Sequence, residues 1–219
     1  MRAVLSIALF FMCVSAVAAP GNRGPRAGQV EYSAAAVHSF SDSFQGLSGS
    51  SLDLASRTGL QFGIDYFVSS KLSVGFDVTW VRPRFNATLV PDDGSPSVDI
   101  SHRSTMFTGQ FNGTYNFLES FITPYVEGGL GWTYFDSYIS DSAPITGCWW
   151  DPWWGPICND FYSSYNATNF SYGVGAGLRW NVASDLAVKA GYRWLEVEVD
   201  GLREKPMLES LQVEISYRF

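Results

Sequence analysis

Nine charged residues fall on one side of extended segments, where they could pair with one another inside a closed structure. They are Glu31, Asp65, Asp77, Glu127 and Glu214, with Arg179, Lys189, Arg193 and Arg218. Charges in a narrow interior are costly unless they are paired and hydrogen-bonded. Because the two signs nearly balance, we expect an ion-pair network that plugs the interior. A water-filled channel lined by the same charges is the alternative.

Two cysteines enclose the most unusual local sequence. Between Cys148 and Cys158 lie four tryptophans: Trp149, Trp150, Trp153 and Trp154. Exposed apolar surfaces usually contact a partner, and Trp is favoured at binding hot spots. We expect a binding or adhesion site for a host surface, for lipopolysaccharide or for another copy of the chain. A lid that packs over the mouth of the structure is the alternative.

The same cysteine pair could instead bind a metal. A two-cysteine site is disfavoured because neither His38 nor His102 is close in sequence and no CxxC spacing occurs. In an oxidising compartment, a pair this close is typical of a disulfide. We therefore predict a disulfide, with no metal and no cofactor.

One short motif could support catalysis. His102 and Ser104 would lie on the same face of a strand, but no acidic residue nearby is placed to orient the histidine, as nucleophilic catalysis requires. We expect no catalytic residue and no enzyme activity. A lipid A-modifying enzyme is the remote alternative.

The N-terminus predicts export. Residues 1–18 combine a lone Arg2, an apolar run from Ala3 to Val14 and the small-residue pattern Ala16-Val17-Ala18, which are the features of a cleaved signal peptide. We expect a short periplasmic segment at 19–28 and one domain at 29–219. The net charge of −7 becomes −8 without Arg2, so nucleic-acid binding is disfavoured.

Beyond residue 29, apolar residues alternate with small or polar ones, which is the period of a β-strand. The last segment is representative, with Leu211, Val213, Ile215, Tyr217 and Phe219 on one face. Eight such segments begin near Val30, Leu60, Leu72, Phe107, Val126, Tyr172, Leu186 and Leu211. The alternation slips near Leu195, where Val197 and Val199 fall on the polar face, and we expect a β-bulge at the rim.

The connections between strands alternate in length. Short ones are expected at 68–71, 118–123 and 183–185, and long ones at 41–56, 86–98, 140–168 and 200–209. Short turns on one rim and long loops on the other are typical of bacterial outer-membrane barrels. Both chain ends then fall on the periplasmic rim, and the first strand must pair with the last because an open sheet edge cannot face lipid.

The composition of the two strand faces indicates whether the outside of the barrel contacts lipid or water. The polar face is mostly Gly, Ser, Thr, Asn and Gln with single charges, whereas the apolar face carries aromatic residues at both strand ends. Expected near the short-turn rim are Tyr32, Tyr66, Tyr115, Phe117, Trp180, Tyr217 and Phe219. Expected toward the long loops are Trp80, Trp132, Tyr134, Tyr192 and Trp194. Two belts match the two interfaces of a bilayer, whereas the aromatic core of a soluble sandwich would not segregate rings to strand ends. We predict an all-β protein, an eight-stranded antiparallel up-and-down transmembrane β-barrel.

Residues 29–219 resemble the outer-membrane barrel domain of OmpA-like, OmpW-like and opacity-type surface proteins. The most specific segments are 123–132 (TPYVEGGLGW), 172–180 (YGVGAGLRW) and 213–219 (VEISYRF). The resemblance implies the eight-stranded fold and the outer-membrane location. It also implies that Tyr217 and Phe219 form part of the signal read by the barrel-assembly machinery.

These observations favour a structural or surface-interaction role through long extracellular loops. The expected partners are outer-membrane lipid or lipopolysaccharide, the barrel-assembly machinery and a host or cell-surface ligand, with the chain a monomer or small homo-oligomer. A small porin for tiny or apolar solutes is the alternative function.

Overall fold

A computed structural model of the protein describes residues 26–45, 50–90, 96–140, 145–153, 155–161, 164–199 and 205–219. The predicted signal peptide (1–18) and Trp154 lie outside these residues. No helix within the described ranges is long and apolar enough to span a bilayer.

The described chain is built from β-strands. In chain order they are β1 (Val30–Ser39), β2 (Asp42–Gln45), β3 (Ser51–Leu54), β4 (Arg57–Phe67), β5 (Leu72–Val81), β6 (Arg84–Leu89), β7 (Val98–Arg103), β8 (Thr105–Asn116), β9 (Ile122–Ser140), β10 (Ile145–Asp151), β11 (Gly155–Phe161), β12 (Ser164–Asn181), β13 (Leu186–Val197) and β14 (Met207–Arg218).

Eight of these strands close into a barrel in the order β1-β14-β13-β12-β9-β8-β5-β4. Every neighbouring pair is antiparallel, and β1 pairs with both β14 and β4. At the seam Glu31 lies opposite Arg218, and the Phe219 amide donates to the Val30 carbonyl at 2.9 Å. The predicted fold and the predicted pairing of the first and last strands are confirmed.

The two faces of the barrel follow the alternation of the sequence. Apolar side chains point outward, and Phe62, Phe111 and Leu130 are each more than half exposed. Buried on the inner face are polar residues such as Gln110 and Gln212. The apolar exterior and polar interior suit a barrel surrounded by lipid.

The rims also follow the prediction. Turns at residues 68–71, 117–121 and 182–185 connect strands on one rim, which is the rim predicted to face the periplasm. Aromatic residues surround this rim, where Phe219 packs against Tyr32 and Tyr217 with ring centroids 5.5 and 4.8 Å apart. On the opposite rim Tyr192 packs against Trp194 at 4.8 Å.

The long connections contain more regular structure than the sequence predicts. Strands β2, β3, β6 and β7 form a four-stranded sheet, and β10 and β11 form a two-stranded hairpin. Strands β9 and β12 have 19 and 18 residues. A tilted strand needs only about 9–11 residues to cross a bilayer, so their upper parts extend above the membrane.

The β-bulge predicted near Leu195 is wrong. Strand β13 pairs with β12 and β14 in unbroken register through Glu196, and the β12 pairing continues to Val197. Val197 points inward and is 5% exposed. It lies at the extracellular end of its strand, where the interior becomes apolar, so no change of face is needed. A register shift occurs instead between Ser164 and Asn166 on β12.

Candidate functional site

The lower half of the lumen is organised around Glu31. Nη1 of Arg179 donates to Glu31 Oε1 at 2.8 Å and its Nη2 donates to Oε2, which makes a bidentate pair. Arg218 Nη2 and Lys189 Nζ lie 3.5 and 3.6 Å from the same carboxylate. Glu31 and Arg179 are each 1% exposed. One carboxylate from β1 is thus shared by cations from β12, β13 and β14.

Lys189 connects this carboxylate with two others. Its Nζ lies 2.8 Å from Glu214 Oε1 and 3.9 Å from Asp65 Oδ2. The lower cluster therefore contains three carboxylates and three cations. Such balance is what a buried charge cluster needs, because an unpaired ion would leave a large desolvation cost.

A second cluster lies toward the extracellular side. Arg193 Nη2 is 3.2 Å from Asp77 Oδ2, and its Nε is 3.5 Å from Glu127 Oε1. Two carboxylates share one cation here, and side-chain amides supply further donors. Gln212 Nε2 donates to Glu127 at 3.0 Å, and Asn112 Nδ2 donates to Asp77. All nine charged residues singled out in the sequence thus lie in the lumen. Ion pairs join six of them in the lower cluster and three in the upper cluster.

Glycines on the inner face make room for the larger side chains. A Cβ atom at Gly191 would lie 2.3 Å from the hydroxyl of Tyr125, and one at Gly177 would lie 2.8 Å from its ring. Tyr125 is 1% exposed and occupies the lumen between these positions. The glycine-rich inner face therefore allows a narrow barrel to be filled.

The periplasmic end of the lumen is closed by Arg26 and Phe67. Arg26 is 5% exposed and donates to the Leu118 carbonyl at 3.1 Å. Burial, together with repulsion from Arg179 and Arg218, lowers the pKa of Arg26 to about 10, so it stays charged at neutral pH. Phe67 is 1% exposed, and the guanidinium of Arg179 lies 5.4 Å from its ring centroid.

The extracellular end of the lumen is apolar. Buried there are Val37, Leu54, Val81, Phe85 and Val197. Val37, Leu54 and Val81 line a cavity of about 60 Å³. Its lining also includes Phe40, Leu208, Gln110 and Arg193. A larger cavity of about 270 Å³, lined by residues such as Phe44, Phe135 and Val199, shares Leu54, Met106 and Leu208 with it.

The cysteine pair lies on the β10–β11 hairpin. Cys148 and Cys158 are directly opposite in register and form a disulfide, with Cα atoms 4.1 Å apart. Trp150 is 71% exposed and Trp153 is 85% exposed. Trp149 belongs to β10, but its side chain, like Trp154, lies outside what the structure describes.

The His102 and Ser104 motif is not arranged as a catalytic pair. Ser104 is fully buried, and its hydroxyl donates to the Pro83 carbonyl at 3.2 Å. His102 is exposed at the end of β7. Over the described ranges, no group of three or more His, Cys, Asp and Glu residues could hold a metal ion.

Sequence reasoning missed both ends of the lumen. Phe67 and Tyr125 each lie two residues from an inward-facing carboxylate, Asp65 and Glu127 respectively. The alternation of side chains along the strand could therefore have assigned both rings to the interior. The position of Val197 in the alternation also assigns it to the interior, without a bulge. Arg26 carries no such signal because it precedes the first strand.

Comparisons with known proteins agree with this architecture. A family model described as the outer membrane protein beta-barrel domain matches residues 4–219. No curated protein is significantly similar to the chain.

Several solved structures share the fold at low sequence identity. The outer membrane protein OprG from Pseudomonas aeruginosa is 13% identical, with a TM-score of 0.56 over 90% of this chain and 98% of that chain. Neisserial surface protein A is 16% identical, with a TM-score of 0.51 over 86% and 95%. Ail from Yersinia pestis, crystallised with the heparin analogue sucrose octasulfate, is 17% identical, with a TM-score of 0.50 over 88% and 99%.

A closed barrel with an apolar exterior and paired charges inside, matched by a family model over nearly the whole sequence, places the protein in the bacterial outer membrane. The chain belongs to the outer membrane protein beta-barrel domain family.

Proposed function

We propose that the protein is a plugged, non-conducting outer-membrane barrel that binds a partner through the disulfide-closed hairpin β10–β11. The observation that carries the proposal is the exposure of Trp150 and Trp153 on this hairpin. A lid over the barrel mouth would bury these rings, whereas a contact surface leaves them open to solvent. The Ail barrel, which was crystallised with a heparin analogue, is an example of ligand binding by a protein of this fold.

The hairpin is suited to present such a surface. It forms a sheet of its own, and the Cys148–Cys158 bond fixes the two strands to each other. Rigid aromatic side chains lose little conformational entropy on binding and are frequent hot spots. The partner classes that fit are a host surface, lipopolysaccharide or a second copy of the chain.

A binding assay with cells that display the protein tests this role. The cells are applied to immobilised matrix proteins, to lipopolysaccharide and to the purified protein itself. We expect binding to one surface, and a loss of about tenfold or more in the double variant Trp150→Ser/Trp153→Ser, as for hot-spot residues. Tyr165→Ser is the control, because Tyr165 is 62% exposed on the extracellular part of β12. Equal binding by parent and double variant would contradict the proposal, as would parent cells that bind none of the surfaces.

The plug is supported by the two charge clusters and by Arg26 and Phe67, which close the periplasmic end of the lumen. Ions would have to break the Arg193 pairs with Asp77 and Glu127 to pass. We expect no steady conductance from the purified protein in planar bilayers. We expect the triple variant Asp77→Ala/Glu127→Ala/Arg193→Ala to remain non-conducting as well, because the lower cluster around Glu31 and the side chains of Arg26 and Phe67 still fill the lumen. Steady conductance by the parent protein would refute the plug.

A small channel for apolar solutes is the second candidate. The cavity of about 270 Å³ near the extracellular mouth favours it, since its lining includes Leu52, Leu54, Met106 and Leu208. Proteoliposomes loaded with an apolar fluorescent probe separate the two functions. Flux that is abolished by the cavity-filling substitution Leu208→Trp would establish the channel, whereas no flux in either protein supports the plugged barrel.

We also propose that the protein is not an enzyme. The buried hydroxyl of Ser104, bonded to a backbone carbonyl, is poorly placed to act as a nucleophile. The mass of lipid A should be the same in cells with the parent protein and in cells with Ser104→Ala. A difference between the two would contradict this part of the proposal.

A further inference from the structure

Three arginines converge on the extracellular side of the barrel, outside the lumen. Arg82, Arg84 and Arg103 line one open pocket of about 790 Å³, together with Ser101, His102 and Tyr138. All three arginines are exposed. The protein as a whole carries a net charge of −7, so this basic cluster is a local exception.

Strand pairing forces two of the arginines together. In the β6–β7 pair, Arg84 lies directly opposite Arg103. Like charges directly opposite on one sheet face are destabilising. Arg82 precedes Arg84 by two residues and adds a third positive charge to the same pocket.

No carboxylate forms an ion pair with this cluster within the described part of the chain. None of the three arginines has an ion pair within 4.0 Å there. Two carboxylates of this region accept hydrogen bonds from other groups: Asp136 accepts from the Ser164 hydroxyl and the Tyr138 amide, and Asp99 accepts from Thr88. Among the described residues, none of the three guanidinium groups is therefore held in an ion pair.

The pocket begins at the level of the lipid headgroups. The guanidinium of Arg82 lies 4.6 Å from the ring centroid of Trp80, and Trp80 is 42% exposed on the outer face of β5. Tryptophans of this belt mark the boundary between acyl chains and headgroups. Arg82 is thus placed where the phosphates of the outer leaflet lie, and Arg84 and Arg103 continue away from the membrane.

The other side of the same rim has the opposite charge. There Lys205 Nζ lies 2.9 Å from Glu198 and 3.5 Å from Glu196, and Glu209 accepts from the Tyr192 hydroxyl. The rim is therefore basic beside β5 and β8 and acidic beside β12 to β14. A ligand attracted by charge alone would be directed to one side of the barrel.

We propose that Arg82, Arg84 and Arg103 form a binding site for the phosphate groups of a phosphorylated glycolipid of the outer leaflet, such as lipid A. Guanidinium groups match the geometry of phosphate oxygens and bind them in bidentate fashion. A phosphate at this site removes the repulsion between Arg84 and Arg103, while the acyl chains of the lipid lie against the apolar face below Trp80. The site does not depend on the role proposed for the hairpin.

Native mass spectrometry of the purified protein with added lipid A tests the proposal. We expect the parent protein to bind lipid A that carries its phosphates about tenfold or more tighter than dephosphorylated lipid A, because charge-assisted contacts are lost with the phosphates. The triple variant Arg82→Gln/Arg84→Gln/Arg103→Gln should lose this preference, and the single variant Arg103→Gln should lose part of it. Lys205→Gln is the control, since it removes an exposed cation on the acidic side of the rim.

Other results would overturn the assignment. Equal affinity of the parent protein for both forms of lipid A would show that the arginines do not bind the phosphates. An undiminished preference of the triple variant for phosphorylated lipid A would show the same. Displacement of the lipid by millimolar inorganic phosphate would assign the pocket to a free anion, and tighter binding of a sulfated polysaccharide would assign it to a glycan. If the triple variant does not fold, Arg103→Gln decides the outcome. The hairpin variant Trp150→Ser/Trp153→Ser should bind lipid A normally, which separates this site from the proposed function.

Discussion

Glu31 is the residue on which most of the lumen charges depend. Its carboxylate contacts Arg179, Lys189 and Arg218, which come from three different strands. A buried cation that loses its partner keeps its desolvation cost and loses the attraction that offsets it. The side chain is therefore more important for stability than any single exposed ion pair.

Replacement of Glu31 by Gln tests this dependence. The substitution keeps the shape of the side chain but leaves three buried cations with two carboxylates, so we expect a loss of about 3–5 kcal/mol in the free energy of unfolding. Urea unfolding in lipid vesicles, followed by tryptophan fluorescence, measures the change.

The control for this measurement is Glu198→Gln. Glu198 pairs with Lys205 on the surface, where both side chains are about half exposed. Exposed pairs typically contribute less than about 1 kcal/mol. Equal unfolding midpoints for the two variants would contradict the importance assigned to Glu31.

At the scale of elements, the β10–β11 hairpin depends on its disulfide more than the barrel does. A cross-link that closes a loop of this length stabilises it by about 3 kcal/mol on the chain-entropy model. We expect the double variant Cys148→Ser/Cys158→Ser to be cleaved faster within residues 145–161 by a protease, while the barrel remains intact. Cleavage at the parent rate would show that the hairpin is held by other contacts.

The last strand is the element that closes the barrel. Phe219 is 73% exposed, packs on Tyr32 and Tyr217, and bonds to β1 through its amide. We expect Phe219→Ala to lower the amount of folded protein in the outer membrane, because it removes the terminal aromatic residue of the proposed assembly signal.

The matched substitution is Phe117→Ala. Phe117 is 46% exposed on the same rim and packs on Tyr115, but it lies far from the C-terminus. The amount of the folded form in outer-membrane fractions is compared for the two variants. If both are reduced equally, the effect belongs to the aromatic belt and not to an assembly signal.

At the scale of the whole molecule, closure of the sheet is what allows the chain to cross lipid. Unpaired backbone groups in hydrocarbon each cost several kcal/mol, and only a barrel without edges avoids them. The β1–β14 pairing provides this closure over nine residue pairs, from Glu31 with Arg218 to Ser39 with Ser210.

Closure predicts a gel shift. The unboiled protein, extracted from outer membranes in detergent, should migrate faster on a denaturing gel than the boiled protein, because the closed barrel stays compact until it is heated. A mature chain that is monomeric in water without detergent and migrates equally in both samples would contradict the fold.

The sequence by itself determined which face of each barrel strand meets lipid. Side chains alternate strictly along a strand, so the eight strands, the two aromatic belts and the inward direction of the nine charges can all be read from a period of two. Turn lengths then assigned the rims. This information is local, and it needs no knowledge of neighbouring strands.

Only the tertiary structure decided which of these groups meet. Glu31 and Arg179 are 148 positions apart in sequence, and Arg84 meets Arg103 only through the register of β6 and β7. The tertiary fold likewise decided that Val197 lies in the apolar extracellular end of the lumen and that Arg26 lies in its periplasmic end. Which side chains meet across the lumen depends on the order, register and closure of the whole sheet. The alternation within one strand carries no information about these, because it is the same whichever strand lies opposite.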